Sequence, residues 1–193
     1  SVGDSVWLDS EKTSPFSFYQ FWRNCGDEDV MHFLKIFTFL DQAELDRLQE
    51  AHNQDPGART AHIFLAREVT RLVHGEVGVE AAERITDALF SDRLDKLSQG
   101  DLQQLALDGM PATKVETETV GILDILVESG LAVTPRGEVT KGQARKLIKS
   151  NAVSVNGEKI NSEDTLLGKH NAMHDRYHVI RKGKKQHHLV VIH

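Results

Sequence analysis

The chain has 193 residues, 39% hydrophobic and 27% charged, enough for one large or two small domains with their own cores. It holds no apolar run of about 18 residues that could cross a membrane as a helix, and its start, SVGDSVWLD, lacks the basic and apolar regions of a secretion signal. One cysteine, Cys25, permits no internal disulfide, which excludes a disulfide-stapled scaffold and fits a reducing, cytoplasmic setting.

The net charge of −6 hides a division. Residues 1–116 hold 11 Lys and Arg against 21 Asp and Glu, whereas 117–193 hold 12 against 8. From Thr134 onward the count is 12 basic to 5 acidic, with six of the ten histidines. An acidic front and a basic back point to a local nucleic-acid surface.

In chain order, 1–10 offers only Val6-Trp7-Leu8 as apolar content and reads as the remnant of a preceding segment. Ser14-Pro15 is a helix start, a capping hydroxyl followed by proline at the first helical position. Phe16, Tyr19 and Trp22 then share one face. Gly26 breaks that helix, and Asp27 can cap the next, with Val30, Phe33, Leu34 and Phe37 as its stripe. Asp41 with Glu44 makes a capping box for a third helix, ended by Asp55-Pro56-Gly57. Periodicity predicts helices over 58–74, stopping at Gly75, and over 80–90, with Asp101 capping a short one through Leu102, Leu105 and Leu107. Nothing here asks for a sheet, so 11–112 is expected to be an all-helical domain. Its aromatics, Phe16, Phe18, Tyr19, Phe21, Trp22, Phe33, Phe37 and Phe39, read as core rather than as a base-stacking platform.

Residues 113–118 are expected to be a linker and 119–193 a small α+β domain, which makes the chain mainly α. Thr119 can cap a helix over 120–129 with Ile122, Leu123, Ile125, Leu126 and Val127 on its core side. A Pro135-Arg136-Gly137 turn lies within 131–139, 161–175 reads as polar loop, and 177–181 and 188–192 read as strands. The turn between those strands gathers Arg181, Lys182, Lys184 and Lys185.

The most informative stretch is TKGQARKLIKSNAVSVNG, 140–157. Thr140 can cap a short helix with Ala144, Leu147 and Ile148 on one apolar face. Lys141, Gln143, Arg145, Lys146 and Lys149 are then left to project outward. The alternation from Ala152 ends in Asn156-Gly157, a hairpin signal because the tight turn needs positive φ at both central residues. A basic helix leading into a tight hairpin suits a phosphate backbone, although basic helix faces are often merely solvated.

Enzymatic signatures are missing. Gly75 and Gly78 lack dinucleotide or phosphate-loop spacing, and no Gly-x-Ser-x-Gly, His-Glu-x-x-His or paired-Cys motif occurs. His170, His174 and His178 are spaced by four, which would align metal ligands on a helix, but the stretch reads as loop running into strand. No catalytic residue, metal ligand or cofactor is assigned, and by its own residues the chain is a binding module.

Two resemblances extend that reading. Residues 142–157 closely resemble the signature of the RNA-binding module named after the fourth small-subunit ribosomal protein (the S-four-type domain). There a basic helix with an Ala-Arg-x-Leu-Ile core precedes a Val-x-Val-Asn-Gly hairpin. SVGDSVWLD, KTSPFSFYQFWRNCGDEDVMHFLKIFTFL and AREVTRLVHGE are similar to the part of bacterial tyrosyl-tRNA synthetases that follows the catalytic domain, and both domains stand in that family's order.

The resemblance implies a helical anticodon-binding domain followed by an S-four-type domain, together holding the anticodon stem-loop and long variable arm of tRNA-Tyr. It implies a parent tyrosine–tRNA ligase that uses ATP and Mg, with the HIGH-like motif, the tyrosine pocket and nearly all of the KMSKS motif upstream. Ser1 would occupy the last position of KMSKS, and the fragment alone would be inactive. The parent would be a homodimer through the absent domain, the fragment a monomer, with no membrane partner. Asp27 would sit at the first anticodon base. Lys141, Arg145, Lys146 and Lys149 match the basic helix, and Lys182, Lys184 and Lys185 the terminal hairpin; Arg136, Gln143 and Arg181 complete the expected tRNA surface. The segment 131–143 is longer than the usual family link. The rivals are a free-standing RNA-binding protein with the same module and a pseudouridine synthase, for which the helical front leaves no catalytic sheet.

Overall fold

Helix α1 (Pro15–Arg23) starts where local chemistry places it: Ser14 Oγ accepts a hydrogen bond from Ser17 N, and Pro15 occupies the first turn, where its missing N–H costs nothing. The structure, a computed structural model, describes residues 6–193, so the position expected of Ser1 lies outside the described residues. The chain forms two compact units, 1–86 and 87–193. Among the described residues no helix is long and apolar enough to cross a membrane.

In the first unit α2 (Val30–Phe37) begins later than expected. Asp29 stands at its N-cap without a side-chain cap bond, and Asp27 turns its carboxylate to Arg59 instead. Helix α3 (Gln42–Gln54) has the full capping box: Asp41 Oδ1 accepts from Glu44 N at 2.8 Å, and Glu44 Oε2 accepts from Asp41 N at 3.0 Å. Helix α4 (Thr60–Ser91) runs through the break expected at Gly75, which is a kink (φ 69, ψ −178) between two helical stretches with no loop after it. Phe18, Tyr19 and Trp22 from α1, Val30 and Leu34 from α2, Leu45 from α3 and Leu65, Ala66 and Val69 from α4 make one buried cluster. Phe16 is also buried, but Phe21 and Phe37 are about two-fifths exposed and Phe39 fully so; the aromatics are therefore only partly core.

In the second unit the end of α4 and a 3-10 turn (Leu94–Lys96) precede α5 (Gln99–Gln104), capped by Ser98 rather than Asp101; Asp101 is the other half of the box and accepts from Ser98 N. One π-helical turn follows over Leu105–Gly109. Strand β1 (Ala112–Val115) lies where a linker was expected and pairs in parallel with β7 (Gln186–Ile192). Thr119 is not a helix cap but opens β2 (Thr119–Gly121), which pairs with β5 (Leu166–Gly168) in the stretch read as loop. Helix α6 (Ile122–Glu128) then starts without a side-chain cap, its first N–H donating instead to Thr165 O at 2.9 Å.

Helix α7 (Lys141–Lys149), β3 (Val153–Val155) and β4 (Glu158–Lys159) follow as the sequence predicts, with β6 (Tyr177–Lys182) completing a five-stranded sheet in the order β1-β7-β6-β3-β4. Strand β7 lies between β1 and β6, and its Leu189–Ile192 run is buried throughout, which accounts for a continuous apolar segment. Ile122, Ile125 and Leu126 of α6 and Ala144, Leu147 and Ile148 of α7 share one cluster with Val153, Val155, Ile180, Val190 and Ile192 of the sheet. That packing fixes which side of α7 faces inward.

Asn156 and Gly157 both take positive φ (51 and 87), as the β3–β4 turn requires. A Cβ on Gly157 would come within 2.9 Å of Asp92 O. Gly157→Ala is expected to cost about 1–3 kcal/mol, from the left-handed backbone and the close carbonyl together. Urea unfolding followed by circular dichroism measures this, and an unchanged midpoint would show that the backbone opposite Gly157 yields freely.

Candidate nucleic-acid interface

Thr140 Oγ1 accepts from Gln143 N at 3.1 Å and starts α7 in a fixed register. With Ala144, Leu147 and Ile148 buried, Lys141, Arg145, Lys146 and Lys149 are exposed and Gln143 is half-buried. The segment 131–139 folds into a small hairpin: Val133 bridges Val139, Thr134 N donates to Glu138 O at 2.7 Å, and exposed Arg136 sits at the tip. Thr140 N donates to Ala132 O, so this hairpin abuts the start of α7.

The β6–β7 turn lies on the same lobe. Gly183 N donates to Ala152 O at 2.9 Å, which brings the turn beside the chain leaving α7. Lys184 and Lys185 are exposed there. The α7 face, the Arg136 hairpin and the Lys184–Lys185 turn are thereby linked by backbone contacts.

The expected cations are not equally available. Lys141 Nζ lies 2.6 Å from Asp124 Oδ1, and Glu163 receives both Arg145 Nε at 3.0 Å and Lys149 Nζ at 3.6 Å. Arg181 Nη2 reaches Asp92 Oδ2 at 2.7 Å, with both side chains only about one-fifth exposed. Lys182 Nζ donates to Leu131 O at 2.7 Å. The turn read as four gathered charges thus presents two, Lys184 and Lys185; Arg181 and Lys182 serve the lobe's own structure. Exposed pairs are worth about 0–1 kcal/mol, so phosphates can displace Asp124 and Glu163 from α7 at little cost. The partly buried Arg181–Asp92 pair is another matter, since removing one member strands the other. Among the described residues Lys146, Arg136, Lys184 and Lys185 have no ion pair. Glu163 and Asp92 each lie far along the chain from the cations they pair with, so spacing alone does not reveal them.

In the first unit Asp27 presents a carboxylate three-fifths exposed, 3.4 Å from Arg59 Nη1 and 3.2 Å from His62 Nε2. Burial, and then the neighbouring Arg59 charge, hold the His62 pKa below its ordinary value.

The spaced histidines are used separately. His174 Nε2 meets Leu97 O at 2.8 Å, and His178, fully buried, meets Gly168 O through Nε2 at 3.1 Å and Asn156 Nδ2 through Nδ1 at 3.3 Å. Among the described residues no group of three His, Cys, Asp or Glu is placed to hold a metal ion.

Residues 101–190 match the family described as the tyrosine–tRNA ligase SYY-like C-terminal domain, and residues 1–91 match the family of class I tRNA synthetases (W and Y). The tyrosine–tRNA ligase of Aliivibrio fischeri strain MJ11 is 46% identical over 187 residues, which are 97% of this chain and 42% of that protein. That of Klebsiella pneumoniae strain 342 is 48% identical over 183 residues, 95% of this chain and 41% of its own. This chain spans about two-fifths of the length of those relatives. A C-terminally truncated Aspergillus nidulans mitochondrial tyrosyl-tRNA synthetase, a solved structure, aligns at 38% identity over 47% of this chain and 25% of that one, with a TM-score of 0.44. The chain belongs to the tyrosyl-tRNA synthetase family, as a C-terminal region that carries the family's own C-terminal domain.

Proposed function

We propose that this chain is the tRNA-recognition portion of a tyrosine–tRNA ligase. The 11–112 stretch holds the anticodon stem-loop of tRNA-Tyr, and the 119–193 stretch grips the long variable arm. The parent enzyme joins tyrosine to tRNA-Tyr at the expense of ATP, with Mg, in the cytoplasm and as a homodimer; this piece supplies recognition, does not activate tyrosine and is monomeric. The observation that supports the reading best is the face of α7, whose apolar side is locked into the core while Lys146 and its neighbours face solvent, with the Lys184–Lys185 turn tied to the chain that leaves the helix. Arg136, Lys141, Gln143, Arg145 and Lys149 extend that face. These groups contact phosphates and contribute affinity, whereas Asp27, as a hydrogen-bond acceptor, meets the edge of the first anticodon base.

Filter binding to several purified tRNAs tests the reading. The chain is expected to hold tRNA-Tyr at least about tenfold more tightly than unrelated tRNAs at 0.15 M salt, with affinity falling steeply as salt rises. Equal affinity for all of them would make the chain a general RNA binder.

A further inference from the structure

The Asp27 carboxylate has an uneven set of neighbours. Arg59 Nη1 and His62 Nε2 both approach the same oxygen, Oδ1, at 3.4 and 3.2 Å. Among the described residues no hydrogen bond reaches Oδ2. Arg59 is itself clamped: Nε and Nη2 donate to Arg23 O at 3.3 and 3.0 Å, and Nη2 donates to Cys25 O at 3.2 Å. Those carbonyls belong to the end of α1 and the turn after it, where acceptors lack helical partners. The guanidinium fork therefore ties off α1 with two nitrogens and faces Asp27 with the third. Its backbone sits in the left-handed region (φ 53, ψ 32), immediately before α4. A non-glycine residue is strained there, and the fixed side chain holds it in place.

His62 supplies the second observation. It is fully buried on α4, and neither ring nitrogen makes a well-aligned hydrogen bond; the Cys25 carbonyl and Asp27 Oδ1 are the acceptors it interacts with. A buried donor without a well-aligned partner is costly and rare in a settled core. The side-chain acceptor within reach of its Nε2 is Asp27 Oδ1, within distance but off the line that a hydrogen bond needs.

We propose that Arg59 and His62 are positioning residues for Asp27: they hold Oδ1 from the protein side and turn Oδ2 outward, to accept from the donor-bearing edge of a nucleobase. The proposal rests on the reading of Asp27 as an anticodon contact. A base edge docked on Oδ2 stops the carboxylate rotating and aligns Oδ1 with His62 Nε2. A contact that is poorly aligned in the free chain is then aligned in the complex. The interaction with the base and the interaction with the buried imidazole thus reinforce each other, and a base without the donor gains neither.

The test is filter binding of the full chain to tRNA-Tyr and to versions carrying each other base at the first anticodon position. The ratio of Kd values, rather than affinity itself, is the readout. Wild type is expected to discriminate and Asp27→Ala to lose discrimination. His62→Leu, apolar and without a donor, is expected to cut discrimination by about five- to tenfold with the salt slope unchanged. His62→Gln, which offers an N–H from the same helical position, restores most of it; Arg59→Lys, which keeps charge but loses the fork, loses part. Should His62→Leu discriminate like wild type while Asp27→Ala does not, the positioning role is overturned and the Asp27 reading stands. Should Asp27→Ala itself discriminate like wild type, that reading falls and the proposal with it. Equal losses in His62→Leu and His62→Gln also overturn the proposal, because packing and not a donated hydrogen bond would then be what His62 provides. Thermal melts of each variant confirm that the first unit is folded in every comparison.

Discussion

Replacing Lys146, Lys184 and Lys185 together by alanine is expected to weaken binding of tRNA-Tyr by about two orders of magnitude at 0.1 M salt, and to flatten the log–log salt dependence by about two to three units. These are the lysines that project from α7 and the β6–β7 turn without an intramolecular ion pair, so each is free to displace a counterion from phosphate. The triple Lys141→Ala, Arg145→Ala, Lys149→Ala removes as much formal charge but starts from side chains shared with Asp124 and Glu163. Its flattening of the slope is expected to be smaller. Glu163→Gln should act in the opposite sense and tighten binding about two- to fivefold, because two cations are released from one carboxylate. Titrations by filter binding at four salt concentrations supply all these slopes. A wild-type slope in the Lys146, Lys184, Lys185 variant would remove this lobe from the RNA interface.

Acid is expected to loosen the second unit well before it affects carboxylates. His178 is buried with its Nε2 hydrogen on Gly168 O. Its Nδ1 faces the amide nitrogen of Asn156, whose orientation is set because Asn156 Oδ1 accepts from Val179 N at 2.9 Å. A second proton on the ring would meet a donor there, so the neutral tautomer is the one the site accommodates. Burial lowers the pKa values of His178, His187 and His188 below the ordinary 6.5, and Arg181 adds to the effect on His187. The unfolded chain therefore binds more protons than the folded one below that pH. The stability concerned is fully present above about pH 6.5 and is lost as pH falls beneath it, at up to about 1.4 kcal/mol per pH unit for each histidine. From pH 7 to 5 the second unit is expected to lose about 2–4 kcal/mol, read from amide protection in β6 and β7 after correction for intrinsic exchange. Flat protection across that range would show that the histidines charge without resistance, and His178→Gln should be less acid-sensitive than wild type.

What the sequence disclosed was local chemistry. Ser14-Pro15, the Asp41–Glu44 box, Thr140 and Asn156-Gly157 each act within a few residues of themselves, and each does in the fold what its own pattern demands. What it concealed was long-range pairing. Ala112–Val115 is a strand only because β7 lies beside it, and Thr119, which has the chemistry of a cap, is drawn into a ladder with Gly168. Short edge strands carry no period of their own, so their partners decide them. The same limit applied to the interface. Spacing alone gave the outward face of α7, while the retention of Arg181 by Asp92 and of Lys182 by Leu131 O depends on residues dozens of positions away. By spacing alone Asp27 reads as a cap, because an acid before a helix usually is one; Arg59 and His62, which redirect it, come from the turn after α3 and from α4.

The place of β7 has a consequence for biosynthesis. Among the described strands β7 is the last in sequence order, yet it occupies an interior position, with β1 on one side and β6 on the other. While residues 186–192 are still inside the ribosomal exit tunnel, β1 and the far edge of β6 have nothing to pair with, and α6 and α7 have an unfinished floor beneath them. The lobe that carries the lysines therefore closes after translation has passed it, whereas the helical unit ahead of it can settle as it emerges.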